Sequence, residues 1–190
     1  MKRFHPYCAG YIVLYALTLL SLVDTGHTLY YQVMGIDSPL TNFSAFSYIV
    51  SALALCYVWM YARAQVAVDE KNLRLAFPAN IVPKEGEGRA LFIFRQGSTE
   101  IRFIDKTLRL DTLTAYGYVE DLGYKQIDAS QAGPNNKLFP VHEVAFITSE
   151  NKRYHLNAAI FSKKQRKEMF ALIQRRTNVA PTGKLADELQ

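Results

Sequence analysis

Charge is absent from two stretches of this chain. Tyr7 to Val23 and Phe43 to Ala62 contain no Asp, Glu, Lys, Arg or His, and the connection between them, Asp24 to Asn42, contains no Lys or Arg. Cysteine is scarce: Cys8 and Cys56 are the only two, and both lie inside the uncharged stretches. The rest of the chain therefore has neither a disulfide framework nor a thiolate metal site. Gly86 and Gly88 are not followed by Gly-Lys-Ser or Gly-Lys-Thr, so no phosphate-binding loop is present. No nucleophile-elbow pattern occurs. His5, His27, His142 and His155 have none of the short spacings of a metal site, although His142 and His155 could meet across a hairpin with Glu143 nearby, and strand-edge positions account for them otherwise. No internal repeat indicates a solenoid. With no catalytic, cofactor or metal constellation in view, the chain is expected to be non-enzymatic and to need no cofactor.

What is present starts with the uncharged stretches themselves. Twenty apolar residues at about 1.5 Å each match a hydrocarbon core of roughly 30 Å, and Phe43 to Ala62 has that length. Tyr7 to Val23 is at the short end and is followed by Asp24, with Tyr30 and Tyr31 beyond, while Trp59 and Tyr61 close the second stretch before Arg63. Aromatic residues favour the membrane interface. A two-helix transmembrane hairpin over residues 1–63 is expected, with spans at about 7–23 and 43–62. A secretory signal also begins with basic residues such as Lys2 and Arg3, but no small-x-small cleavage site leading to a soluble start follows Val23. Core helices of a soluble domain are the other alternative, against which an all-round apolar helix with aromatic ends argues.

Lys2 and Arg3 precede the first stretch and Arg63, Lys71 and Arg74 follow the second, whereas the connection carries Asp24 and Asp37. Positive residues stay cytoplasmic, so both termini are expected in the cytosol. Cys8 and Cys56 then lie towards a reducing compartment and serve as small apolar fillers. The formal charge of +5 resides after Ala62, because Lys2 and Arg3 cancel Asp24 and Asp37. Residues 63–190 suffice for one small domain.

That part reads mostly as strands. Val66, Val68, Leu73, Leu75 and Phe77 alternate around the turn Asp69-Glu70-Lys71-Asn72, a predicted hairpin. Pro78, Pro83 and Glu85 to Gly88 are expected to break the pattern. Ala90 to Phe94 and Glu100 to Ile104 flank Gln96 to Thr99 as a second hairpin, extended by Leu108 and Leu110. Leu113 to Ile127 fits a broken strand pair or a short helix equally, and Ala132 to Lys137 is a loop by composition. Val144, Phe146 and Thr148 turn at Ser149 to Lys152 and return through Tyr154 and Leu156. Ser162 with Gln165 then has capping-box spacing, followed by Met169, Phe170, Leu172 and Ile173 at helical period and by Arg175 and Arg176. Residues 177–190 lack an apolar stripe and are expected to fray.

The order of hairpins Val66 to Phe77 and Val144 to Leu156, running into the helix Ser162 to Arg176 behind two membrane spans, resembles the membrane-anchored bacterial pleckstrin-homology-like (PH-like) domain proteins. The resemblance implies an α+β membrane protein: a helical hairpin, then a small, bent antiparallel sheet or barrel over residues 64–176 with a C-terminal amphipathic helix. It further implies a non-enzymatic interaction or adaptor module at the cytosolic face of the bacterial inner membrane. The chain is also similar in length and order to two-helix, β-rich membrane effectors of cyclic-oligonucleotide antiviral signalling. Those bind a nucleotide signal and oligomerise to damage the membrane, but they lack the terminal helix.

Three candidate sites follow. Lys163, Lys164, Arg166 and Lys167, with Lys152 and Arg153 in the preceding turn, form a cationic run suited to anionic lipid or an acidic partner, or simply a solvated helix face. Asp24 and His27 share a helix face near the membrane boundary, as an ion site or as helix-end solvation. Ser47 and Ser51, four apart, form a small-residue seam for packing the hairpin or for self-association. The partners expected are the bilayer and a protein or a second copy, with no nucleic-acid polymer; a nucleotide messenger belongs to the effector alternative only.

Overall fold

The computed structural model describes residues 1–36, 44–81, 95–96, 99–124 and 141–189. The expected strand over 90–94, the loop over 132–137 and the side chain of Ser47 lie outside the described residues. The chain divides into two compact units, Ala9–Ala62 and a discontinuous one made of Met1–Cys8 with Arg63–Gln190.

In the first unit, helix α1 (Ala9–Met34) packs against helix α2 (Ser44–Ala62). The 26 residues of α1 amount to about 39 Å. The helix thus runs well past Asp24, where the sequence reading ended the span, because a half-buried carboxylate side chain does not interrupt the backbone hydrogen bonding of a helix. It stops where Gly35 adopts φ +66°, and the amide of Ile36 donates to the Tyr31 carbonyl at 3.1 Å, a left-handed helix end that glycine takes without strain.

Polarity in this unit is inverted. Leu17, Leu19, Leu20, Val23, Val33 and Trp59 are among its exposed side chains, while Thr18, Thr28 and Ser51 are buried. Ser51 Oγ lies 2.5 Å from Ser21 Oγ and 2.6 Å from Thr25 Oγ1, and it donates to the Ser21 carbonyl at 3.0 Å. Thr18 and Thr28 donate to the carbonyls of Leu14 and Asp24, one helical turn back. Small hydroxyl residues let two helices approach and bond where the surroundings offer no water. Among the described residues α1 is long and apolar enough to cross a membrane, and Tyr48–Ala62 is apolar but shorter.

The second unit is built on two antiparallel sheets. The first has the order β1-β2-β3-β5-β4, from β1 (Lys2–Phe4), β2 (Gln65–Val68), β3 (Asn72–Ile81), β4 (Arg95–Gln96) and β5 (Thr99–Arg109). The second has the order β6-β7-β8, from β6 (Leu113–Tyr118), β7 (Glu143–Thr148) and β8 (Arg153–Asn157). Among the described residues the ladders do not join the two sheets, so they form a pair of sheets and not a closed barrel.

The hairpin at Asp69 forms as its residues dictate. The Asp69 carboxylate accepts from the amides of Lys71 and Asn72 at 2.8 and 2.6 Å, and those bonds hold its pKa below the usual carboxylate value. Pro78 does not break β3. Pairing with β2 ends at Ala76, so Pro78 lies where, among the described residues, β3 pairs with β5 alone, and a missing N–H is tolerated on an open edge. Of the two readings open for residues 113–127, a strand forms first: β6 pairs with β7 up to Tyr118. Sequence reasoning missed β1. Its residues pair with β2, Phe4 opposite Val66, and the Phe4 ring is buried.

Helix α3 (Lys163–Thr177) begins with the expected capping box. Ser162 Oγ accepts from the Gln165 amide at 3.2 Å, and Gln165 Oε1 accepts from the Ser162 amide at 3.0 Å. It buries Met169, Phe170 and Ile173, whereas Leu172 is only half-buried. The Phe170 ring lies 6.0 Å from Tyr116 and 6.5 Å from Phe146, which are cross-strand partners 5.8 Å apart. This aromatic triangle joins α3 to the second sheet, and Phe4, Val66, Leu73, Leu75, Phe77 and Leu108 are among the buried side chains of the first. Inside it the Tyr116 hydroxyl has no hydrogen-bond partner among the described residues, and burial raises its pKa. An unsatisfied buried hydroxyl costs about 1–3 kcal/mol. Tyr116→Phe is therefore expected to raise the unfolding midpoint by the equivalent of about 1 kcal/mol, measured by denaturant titration of the full chain in detergent.

Candidate interaction surface

The cationic run of the sequence does not stay together. Lys152 pairs with Glu150 at 2.6 Å, and the Arg153 guanidinium stacks over the Tyr124 ring at 4.0 Å. Both sit at the start of β8, a strand of five residues spanning about 17 Å, whereas α3 begins beyond its other end. Arg166 is half-buried and contributes to a mixed-charge group with Glu120, Glu188 and Lys184 around His142. That leaves Lys163, Lys164 and Lys167 on one helix face, lining a shallow depression with Glu168. The same face is tied to the N-terminal strand: Lys2 pairs with Glu168, Gln165 Nε2 donates to the His5 carbonyl at 2.9 Å, and the Tyr7 amide donates to the Ile160 carbonyl at 2.8 Å.

Of the other expected sites, Ser51 does sit in the helix seam, but with Ser21 and Thr25 of α1 as its partners. Asp24 and His27 both lie within α1, and the His27 ring meets the Tyr31 ring at 4.5 Å. His142 and His155 do not form a pair. His155 is buried on β8 with Nδ1 3.5 Å from Glu143 Oε2, while His142 stacks flat on Tyr118 at 3.6 Å. Among the described residues no three His, Cys, Asp or Glu side chains gather to hold a metal ion.

The surface that sequence reasoning missed is formed by the C-terminal segment. Expected to fray, residues 178–189 are docked instead. The Thr182 amide donates to the Tyr116 carbonyl at 2.9 Å and its hydroxyl donates to the same oxygen at 3.1 Å, with Thr182 bridging Gly117 in parallel. The short helix α4 (Lys184–Leu189) follows, with Leu185 buried. Tyr118 Oη donates to Glu188 Oε2 at 2.8 Å, and the Lys184 amide donates to Asp121 Oδ2 at 2.7 Å. One leucine at the right place docks the segment, and no periodic stripe is needed. The fit requires glycine at 117, where a Cβ would lie against the Thr182 hydroxyl and 3.0 Å from the Thr182 carbonyl oxygen. Gly117 was the available signal, since a glycine inside a strand marks a close backbone approach.

The titration of this surface follows from its burial. Desolvation lowers the His142 pKa, with Arg166 and Lys184 adding to the fall and Glu120 and Glu188 opposing it. Burial, then the bond to Glu188, raises that of Tyr118. The unfolded chain therefore binds the His142 proton more readily. Its stabilising contribution is complete above about pH 6.5 and is lost as pH falls through the lowered folded value. Stability of the full chain in detergent should fall as pH drops below about 6.5, and His142→Phe, which keeps a ring on Tyr118, should remove part of that slope.

The fold and its surfaces define an α+β chain of two units, an apolar helical pair and an antiparallel β domain on whose β6 strand residues 182–189 dock at Gly117. No family model, curated protein or solved structure matches it.

Proposed function

We propose that this protein is a membrane-anchored, non-catalytic binding module, in which α1 and α2 cross the bilayer as a hairpin and hold a PH-like β domain at the cytosolic face of a bacterial inner membrane. The observation that carries this reading is the inverted polarity of the helical unit, with leucines, valines and Trp59 outside and hydroxyls inside. Water would oppose so large an exposed apolar surface, and lipid would not.

The pairing of β1 with β2 supports two crossings. Those strands lie immediately before α1 and after α2, and Phe4 is opposite Val66. A folded β domain lies wholly on one side of a bilayer, so the chain between its strands must cross an even number of times. If α1 spans, α2 brings the chain back. The positive residues Lys2, Arg3 and Arg63 favour the cytosol for that side. Two sheets followed by α3 support the PH-like reading of the domain, and Lys163, Lys164 and Lys167 would face anionic lipid or an acidic protein.

The test uses a chain with Cys8 and Cys56 replaced by alanine and a single new cysteine, Ile36→Cys or Lys164→Cys. The protein should pellet with membranes through a carbonate wash. A membrane-impermeant maleimide should label position 36 in intact spheroplasts and position 164 only after permeabilisation. Recovery in the soluble fraction, or equal labelling at both positions before permeabilisation, overturns the reading.

A further inference from the structure

Among the described residues the second sheet ends on β6, and the backbone groups of an edge strand are a template for an added strand. It is already in use. Thr182 bonds to the Tyr116 carbonyl, Leu185 is buried, and Glu188 accepts from Tyr118 Oη. These three residues, spaced by three, put a hydroxyl, an apolar and an acidic side chain on successive features of one surface. Those features are the Gly117 notch, the apolar site that buries Leu185, and the Tyr118 hydroxyl beside His142 and Arg166.

The hold is local. One parallel bridge at Gly117 covers a strand of six residues, and α4 is a single short helix of six. The segment leaves α3 through Asn178 at φ 57°, a left-handed turn that makes a natural hinge. Val179 to Pro181 then crosses to the sheet without a buried side chain. The Gly117 notch receives both the hydroxyl and the carbonyl oxygen of Thr182, and the bridge, the leucine and the carboxylate together describe what a segment seated there carries.

We propose that the β6 edge is a peptide-docking groove kept closed by the chain's own C-terminal segment, and that it opens to a partner segment carrying the same pattern of Thr or Ser, then Leu three residues on, then Glu or Asp three further. The inference rests on the reading of the β domain as a binding module and is independent of the bilayer. Its failure in detergent would leave the membrane test untouched.

The experiment uses the full chain in detergent with a protease recognition sequence inserted after Ala180. The probe is a fluorescent synthetic peptide of residues 178–189. After cleavage and removal of the released segment, the peptide should bind by anisotropy at least about tenfold more tightly than it binds the uncut protein. Leu185→Asp in the peptide, or Gly117→Val in the protein, should abolish binding. Equal binding to cut and uncut protein, or no binding to a cut protein that keeps its near-UV circular dichroism, overturns the proposal. So does loss of that signal on cleavage, because the segment would then be an integral part of the fold.

Discussion

Deleting residues 44–62, which leaves α1 as the sole apolar helix, is expected to abolish folding of the β domain in membranes. In the proposed topology a single crossing would put Lys2–Phe4 and Gln65–Val68 on opposite sides of the bilayer, and the β1–β2 pairing with Phe4 opposite Val66 could not form. Phe4 would leave its buried site, and Lys2 would lose Glu168 of α3. Burying a phenylalanine side chain is worth about 1.5–3 kcal/mol, a large part of the margin of a small domain. Pulsed proteolysis of membrane vesicles should find the domain resistant in the parent and digested in the deletion. Replacing α2 by an unrelated apolar helix of equal length should restore resistance, because the proposed topology needs a second crossing for the strands to pair. Resistance in the deletion itself would mean that α1 alone does not separate the two strands.

Phe170→Ala is expected to have the largest effect of any single substitution in the β domain, about 3–5 kcal/mol. The ring is fully buried and lies 6.0 and 6.5 Å from Tyr116 and Phe146, so truncation opens a cavity where α3 meets the second sheet. Small domains have about 5–15 kcal/mol in total. The variant should lose most of its stability in denaturant titration, and its α3 amides should exchange hydrogen faster than those of β3. Phe170→Leu should recover part of the loss by refilling the cavity. A change below about 1 kcal/mol would contradict the packing described for α3.

Much of the architecture was legible because it rests on local chemistry. Asp69 specifies its turn by bonding to the next amides. Ser162 and Gln165 specify the start of α3 by bonding to each other's backbone. Val144 opposite Leu156 and Phe146 opposite Tyr154 follow from alternation around a short turn. Long-range pairing left weaker marks. Lys2-Arg3-Phe4 looks like a basic leader before an apolar run, and becomes a strand only because β2 offers an edge sixty residues later. Pro78 looks like a break, and is tolerated only because β2 has ended beside it.

The candidate surface shows the same division. Lys163, Lys164 and Lys167 share a face because helical period puts them there, whereas Lys152, Arg153 and Arg166 left the cluster for Glu150, Tyr124 and the charges around His142. Those choices depend on which strand end or ring lies nearby, and spacing along the chain does not encode it.

Taken alone, the sequence determined the apolar helices, the turns, the capping box and the antiparallel character of the β domain, because each depends on residues within a few positions of one another. Only the tertiary structure decided that the first residues belong to the β domain, that hydroxyls line the helix seam, and that the C-terminal segment fills the β6 edge against Gly117. Each of those is a contact between distant parts of the chain, selected by shape and by the need to satisfy buried polar groups, and no local pattern carries that information.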